Sequence, residues 1–363
     1  MALIFYGLSG DGRGHATRAQ TVVEQLRQHH RVVVYAPLDA YELLGSLYKN
    51  TDVDVRHIPG IKMCFNAQRR VDYVRTGYRT ARYLSGFPRL MRRIRKDMER
   101  EQPDLVISDF DPALPWAASG TGVPVVSLDH QHMMATSDLR QFPWRLRLYA
   151  ATVSPTVRAF AGRPAAKIVS SFAFPPADPR HQNLHRVGVL LRKDVREARP
   201  ETRAHLVAYF RRFAPPGMLE ALAAGPMPVM VYGLGKQASR GALRFKAIDP
   251  RGFVEDLATS SALVSTAGNQ LVGEALYLNK PVLAIPEDNN PEQSINATLL
   301  SKTEAGLAVS SQAFEATVLG QFLDDLDRYR ARCRELFVAG NAKTFNVIRS
   351  FFPAEERLEE AAE

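Results

Sequence analysis

The stretch ALVSTAGNQLVGEALYLNKPVLAIPEDNNPEQ, residues 262–293, contains a whole structural unit. ALVSTAG (262–268) and PVLAIP (281–286) are short apolar runs of the kind that reads as a strand buried on both faces, and a helix-length segment entered through Gly268 lies between them. Strand, helix and strand in that order form the βαβ unit of a parallel sheet. The loop behind the second strand, EDNNPEQ (287–293), is acidic and amide-rich although it follows a run that reads as core.

The same rhythm extends in both directions. Upstream lie HLVAYF (205–210), PVMVYGL (228–234) and ALRFKAI (242–248). Further back lie ALIFYGL (2–8), RVVVYAP (31–37), DLVISD (104–109), VPVVSLD (123–129) and AKIVSSF (166–172), separated by helical segments such as ATRAQTVVEQLRQ (16–28). The proline-rich FPPADPRHQN (174–183) interrupts the series and reads as an interdomain linker. The expected fold is therefore α/β, with two doubly wound, Rossmann-like sheets in tandem. After Phe314 the pattern turns helical, and the charged, Ala/Glu-rich tail at 354–363 is expected to fray.

Bulk properties agree with two ordinary domains. The chain has 363 residues, 45% of them hydrophobic, more than one core usually organises. No apolar run reaches the roughly 18 residues of a membrane-spanning helix, and the strand-like start lacks the basic flank of a signal peptide, so a cytoplasmic protein is expected. Cys64 and Cys333 are far apart with no CxxC pairing, which points to neither a disulfide framework nor a zinc site. The net charge of +9 arises wholly in residues 1–167, with 24 Lys and Arg against 15 Asp and Glu. Residues 56–100 alone hold 13 basic and 3 acidic residues, interleaved with Tyr73, Tyr78, Tyr83, Phe87, Leu90, Met91 and Ile94. That mixture suits nucleic acid, an anionic bilayer surface or an acidic acceptor; a solvated helix face would look the same. No nucleic-acid-binding motif accompanies the charge, so no nucleic-acid partner is expected.

In open α/β sheets ligands collect beyond the carboxyl ends of the strands, and the loops there are unusual. The first, GLSGDGRGH (7–15), places Gly10, Gly12 and Gly14 ahead of a helix expected to start near Ala16 or Thr17. Such a loop can turn backbone N–H groups toward an anion. The acidic residue of a dinucleotide site is missing after RVVVYAP, which argues against NAD. His15 closes the loop, where an imidazole could take a hydroxyl proton if a carboxylate oriented it; a merely polar or capping histidine is the alternative. SDFD places Asp109 and Asp111 at the end of another strand of the same sheet as candidate partners. In the opening stretch the helix after Gly268 begins with free N–H groups near Asn269, Gln270 and Leu271, an anion cradle. Glu274 lies one and a half turns on and can accept from vicinal hydroxyls such as a ribose presents, while Glu292 and Gln293 suit sugar hydroxyls.

These segments, TAGNQLVGEALYLNKPVLAIPEDNNPEQSINATLLSKTEAG together with GDGRGH, resemble the inverting GT-B glycosyltransferases. The likeness is specifically to the group around the peptidoglycan N-acetylglucosaminyltransferase and related uncharacterised archaeal and bacterial transferases, and it covers nearly the whole chain. It implies two Rossmann-like domains facing across a cleft: residues 1–185 for the acceptor, 186–340 for the nucleotide sugar, and a C-terminal helix within 341–363 packing back on the first domain. VGVLLR (187–192) looks like the interdomain crossing, so Arg192 inherits contact with a diphosphate. Glu274 falls on the ribose glutamate, Gln293 on the donor-sugar glutamine, Gly268 on the phosphate-turn glycine, and His15 on the histidine of the glycine loop, with Asp109 as its partner. Two departures stand out. Leu271 replaces the common Ser or Thr before the ribose glutamate, leaving phosphate contact to backbone groups, Asn269 or Gln270. RRFAPPG (211–217) replaces a glycine-rich loop, where Arg211 and Arg212 could compensate with charge.

The function implied is transfer of a hexose-type sugar from a nucleotide diphosphate, with uridine the expected base, to an acceptor hydroxyl. Inversion in a single displacement is implied, with no cofactor and no bound metal: the nearest approach to a DxD motif, DFD at 109–111, is assigned to the histidine. The acceptor is expected to be lipid-linked or a small natural product, and residues 56–100 with FPWRLRLY (142–149) to meet anionic headgroups on the inner face of the plasma membrane. A nucleotide-sugar 2-epimerase of the same architecture and a non-catalytic nucleotide-sugar-binding protein are the alternatives.

Overall fold

The computed structural model describes the chain apart from residues 11–12, 63, 65–71, 182, 212, 215–216, 337–338 and 354–363. Gly12, Arg212 and the acidic tail thus lie outside the described residues.

The first half runs β1 (Leu3–Leu8), α1 (Arg13–Leu26), β2 (Arg31–Ala36), α2 (Leu38–Leu47), β3 (Asp54–His57), α3 (Tyr73–Glu101), β4 (Leu105–Asp109), α4 (Ala113–Ala118), β5 (Val125–Asp129), α5 (His132–Thr136), α6 (Trp144–Ala161), β6 (Ala166–Ser170) and β7 (Leu184–Val187). The second runs α7 (Lys193–Glu197), β8 (Leu206–Tyr209), α8 (Met218–Ala223), β9 (Val229–Tyr232), β10 (Leu243–Phe245), α9 (Pro250–Thr259), β11 (Ala262–Ser265), α10 (Asn269–Tyr277), β12 (Val282–Ala284), α11 (Pro291–Thr303), β13 (Gly306–Ala308), α12 (Ala316–Asp324), α13 (Leu326–Leu336) and α14 (Asn341–Arg349).

Both sheets are parallel, in the orders β3-β2-β1-β4-β5-β6-β7 and β10-β9-β8-β11-β12-β13. Each order reverses beside its first strand, between β1 and β4 and between β8 and β11. Connections leave on opposite faces at such a point and open a crevice beyond the strand ends. The interior strands are apolar because both faces are covered: every residue of β1, β4, β5 and β11 is buried.

Three strands escaped the sequence reading, and all are edges. β3 (DVRH) and β7 (LHRV) are largely polar and only partly covered, and β13 has three residues. One consequence corrects the reading of FPPADPRHQN: this segment joins β6 to β7 within the first sheet rather than linking domains. The first sheet ends with β7 at Val187, and the crossing follows it. There Leu190 enters the core of the first domain, while Val189 and Leu191 enter a core that both domains share, in which Met133, Phe142 and Phe172 of the first meet Val207, Leu263 and Val272 of the second; all three crossing residues are fully buried. The chain returns beside this crossing: Gly340 N–H donates to Val189 O at 3.0 Å, and the Asn341 side chain exchanges hydrogen bonds with the Leu191 backbone at 2.9 and 3.0 Å. From there α14 places Phe345 and Ile348, with Phe352 beyond it, in the core of the first domain.

The crossing is tight against α10. A Cβ on Gly273 would lie 2.3 Å from a methyl carbon of Val189. Gly273→Ala therefore overpacks this junction, and urea unfolding should show a loss of about 1–3 kcal/mol despite the better helix propensity of alanine.

Candidate functional site

The reversal points of the two sheets face one another across a cavity of about 310 Å³. Its near wall comes from α1 and the loop after β5; its far wall comes from the crossing, the ends of β8 and β11, and the starts of α10 and α11. Gly14, His15, Arg192, Arg211, Gly268, Asn269, Gln270, Glu274, Glu292 and Gln293 all line it. Asp109 lies directly behind His15, and Gly10 is spent on packing, since a Cβ there would lie 2.3 Å from Pro37 O.

On the near wall α1 begins at Arg13, earlier than expected, so His15 sits within the first helical turn instead of closing the loop. A glycine at 14 is tolerated so close to the end. His15 Nδ1 lies 2.7 Å from Asp109 Oδ1, with the imidazole 12% exposed and the carboxylate not at all. Asp109 is the terminal residue of β4 and pairs in register with Leu8, the last residue of β1, which brings it under the start of α1. Arg18, one turn after His15, holds the same carboxylate with Nε at 2.8 Å and a terminal nitrogen at 2.5 Å. Burial works to raise the Asp109 pKa, but the charges of Arg18 and His15 outweigh it and hold the carboxyl below its ordinary value. Phe110, at the left-handed φ of 55°, lays its ring parallel to the imidazole at 6.4 Å. Asp111 turns away from the histidine, and its Oδ2 accepts from Leu114 N–H at 3.0 Å at the start of α4.

On the far wall, α10 begins without a side-chain cap. The left-handed residue of its entry turn is Ala267, at φ 63°, while Gly268 has an ordinary φ of −68°. Gly268 matters for another reason: a Cβ there would meet nothing within 4 Å among the described residues, and the open space beyond the backbone belongs to the cavity that Gly268 lines. Glu274 is 2% exposed and takes a two-pronged contact from Arg192, at 3.3 and 3.0 Å, with Gln270 Nε2 at 3.1 Å. Burial lowers the Arg192 pKa, but Glu274 more than compensates and the guanidinium ends above its usual value.

The amides expected at a phosphate are engaged elsewhere. Asn269 accepts from Ser171 and Phe172 and donates to Ser170 O, all at 3.2 Å, and Gln270 donates to Leu190 O at 2.8 Å. These bonds tie α10 to the first domain. Gln293 accepts from Glu287 N–H at 2.7 Å, and Asn290 caps α11 by accepting from Gln293 N–H at 3.2 Å. Sequence reasoning missed His130, whose ring spans the domains between Ser170 O at 3.1 Å and Asn296 Oδ1 at 2.9 Å. Burial pushes its pKa down, against Glu292, which raises it. Also missed were Arg18 and an apolar end of the cavity formed by Tyr209, Ile248, Pro250 and Phe253. Tyr209 ends β8, beside the reversal point, and the rule that located the other loops applies to it equally.

Residues 2–327 match the family model of glycosyl transferase family 1. The chain belongs to this family. It is similar to an uncharacterised glycosyltransferase of Methanosarcina mazei, 24% identical over 331 residues, which cover 84% of this chain and 85% of that protein. Among solved structures, CalG4, the calicheamicin glycosyltransferase, superposes with a TM-score of 0.68 at 16% identity over 97% of this chain and 98% of that one. Acinetobacter baumannii MurG gives 0.61 at 16% identity over 96% and 99%. Arabidopsis thaliana UGT89C1 complexed with UDP gives 0.67 at 13% over 96% and 99%. At these identities the likeness is one of fold: this glycosyltransferase has the GT-B architecture of two parallel-sheet domains.

Asp111 beneath the near wall makes a pH prediction. Burial pushes its carboxyl from 3.8 up to about 6, against the N–H groups of Leu114 and Ala113. The folded protein thus favours the neutral acid, and stability gained from it is complete below about pH 4 and lost as the pH rises through 6. Asp111→Asn, with no charge to bury, should match the parent near pH 4 and exceed it by up to about 3 kcal/mol at pH 8 in denaturant unfolding. A less stable variant at pH 8 would show instead that the backbone donors favour the ionised form.

Proposed function

We propose that this glycosyltransferase moves a hexose-type sugar from a UDP-sugar to an acceptor hydroxyl with inversion, in a single displacement and without a bound metal. The observation that carries the reading is one cavity with an Asp109-oriented histidine on one wall and, on the other, an arginine, an uncapped helix start and a buried glutamate.

Each part has a role. Nδ1 of His15 donates to Asp109, which leaves the Nε2 lone pair to take the acceptor proton. As the acceptor oxygen bonds to the anomeric carbon, the bond from that carbon to the diphosphate oxygen breaks and the electron pair leaves with the phosphate. Arg192 and the N–H groups at the start of α10 meet that developing charge. Glu274 keeps lone pairs beyond those used by Arg192 and Gln270, and these accept from the ribose hydroxyls. Gln293 and Glu292 take the hexose, and the apolar end around Tyr209 and Phe253 suits the flat base. The uridine assignment draws support from UGT89C1, which has the same fold and is complexed with UDP.

Donor and base are tested together. A thermal-shift panel of UDP-, TDP- and GDP-sugars should single out one donor that raises the apparent stability of the folded protein. With that donor, His15→Ala should reduce turnover on the order of 100-fold or more while the donor-induced shift stays unchanged. Full activity in the variant would remove His15 as base, and donor consumption without any acceptor would favour the epimerase.

We also assign the acceptor side to an anionic lipid surface. α3 turns Tyr83, Leu90, Ile94 and Met98 into the core and leaves Arg75, Arg79, Arg82 and Arg89 outside, beside the exposed Val74, Tyr78 and Leu84. On α6, the exposed Trp144 and Leu148 flank the exposed Arg145 and Arg147. No helix of the described residues is long and apolar enough to cross a membrane, so the contact would be peripheral. The protein should sediment with phosphatidylglycerol vesicles at low salt and be released at high salt. No binding at low salt would point to a soluble acceptor.

A further inference from the structure

Arg18 is a buried arginine for which the displacement itself has no use. It is 3% exposed, and its two nitrogens take both oxygens of Asp109: Nε reaches Oδ2, and a terminal nitrogen reaches Oδ1, the oxygen His15 also uses. That terminal nitrogen lies 3.1 Å from His15 Nδ1. A guanidinium has no lone pair to offer, and Nδ1 turned toward a carboxylate oxygen carries its proton, so these are two donors sharing one acceptor.

Two consequences follow from elementary chemistry. The two-pronged grip fixes the plane of the carboxylate and, through it, the ring and tautomer of His15. A fixed positive charge beside the ring also opposes a second one on the imidazole, and it offsets the pull of Asp109 toward the charged form. Burial strengthens both effects. Other ionisable groups stand around the pair. His130, lining the same cavity, also feels Arg18, and burial together with that charge opposes its protonation. Asp129, at the end of β5, acts on Arg18 from the neighbouring strand, and Tyr6 of β1 is kept neutral by burial and the adjacent Asp109. Across the cavity Arg192 and Glu274 are paired with one another, with Arg211 and Glu292 on the same far wall.

We infer that Arg18 is a positioning residue that acts through Asp109, holding His15 in the tautomer with a free Nε2 and setting a fixed positive charge beside its ring. The inference rests on the reading of His15 as the base, but its test needs no substrate. The full chain labelled with ¹⁵N-histidine is titrated by NMR, with the His15 ring signals assigned by their loss in His15→Gln. In the parent protein, above its midpoint, Nδ1 should carry the proton; a proton on Nε2 would overturn the positional part whatever the variants do. In Arg18→Gln the midpoint should move up by about one pH unit or more, whereas Arg18→Lys, which keeps the charge, should hold it close to the parent. An unmoved midpoint in folded Arg18→Gln would overturn the electrostatic part. If that variant does not fold, Arg18→Lys decides: the charge must keep the midpoint, and a rise matching one pH unit would contradict the proposal. Retained turnover in His15→Ala, by contrast, would sink the base assignment while leaving the titration result standing.

Discussion

The two crossings of the chain, at 188–191 and 340–341, hold the carboxyl ends of both sheets against one cavity. Parallel sheets put every strand-to-helix loop at the same end, so an enzyme built from two of them has two functional edges and needs those edges to face each other. Here the facing is enforced by packing and hydrogen bonds together. Val189 and Leu191 lie in one core and Leu190 in the other, and the returning chain is hydrogen-bonded alongside. Rotation of one domain against the other would expose these side chains or break those bonds.

A polar seam adds to this constraint at the cavity itself. Asn269 and Gln270 at the start of α10 bond to the backbone of the first domain and of the crossing, and His130 meets Asn296 from the opposite side. Such groups are buried only because each finds a partner. The helix proposed to meet the diphosphate is therefore anchored in both domains. Its free N–H groups belong to the backbone, while its side chains serve the interface. That division would leave the proposed anion cradle to the backbone, although Leu271 stands in place of a hydroxyl residue.

Buried ionic groups are costly unless paired, and beneath the near wall they come in sets. Asp109 is shared by His15 and Arg18. One strand over, Asp129 takes His132 Nδ1 at 2.7 Å and its backbone N–H at 2.8 Å, and although burial would raise its carboxyl, His132 brings it down to about 2. The two pairs are chemically alike. They differ in access: His132 is 2% exposed, does not line the cavity, and has no hydrogen-bond partner for Nε2 among the described residues, whereas His15 faces the open space.

The sequence by itself determined the class of fold and the position of most cavity-lining loops, because interior parallel strands must be apolar on both faces and their turns must carry the chemistry. The edges β3, β7 and β13 were not legible, since a strand with one open side needs no apolar run. Nor was Arg18, which becomes a partner of Asp109 only when β4 is laid beside β1. His15 and its partner Asp109 were named from the glycine loop and the family resemblance, and the Asp129–His132 pair within LDHQH drew no reading. Only the tertiary structure shows the contact of His15 with Asp109 and its place at the cavity, because access to a cavity is a property of how the domains close and not of any local pattern.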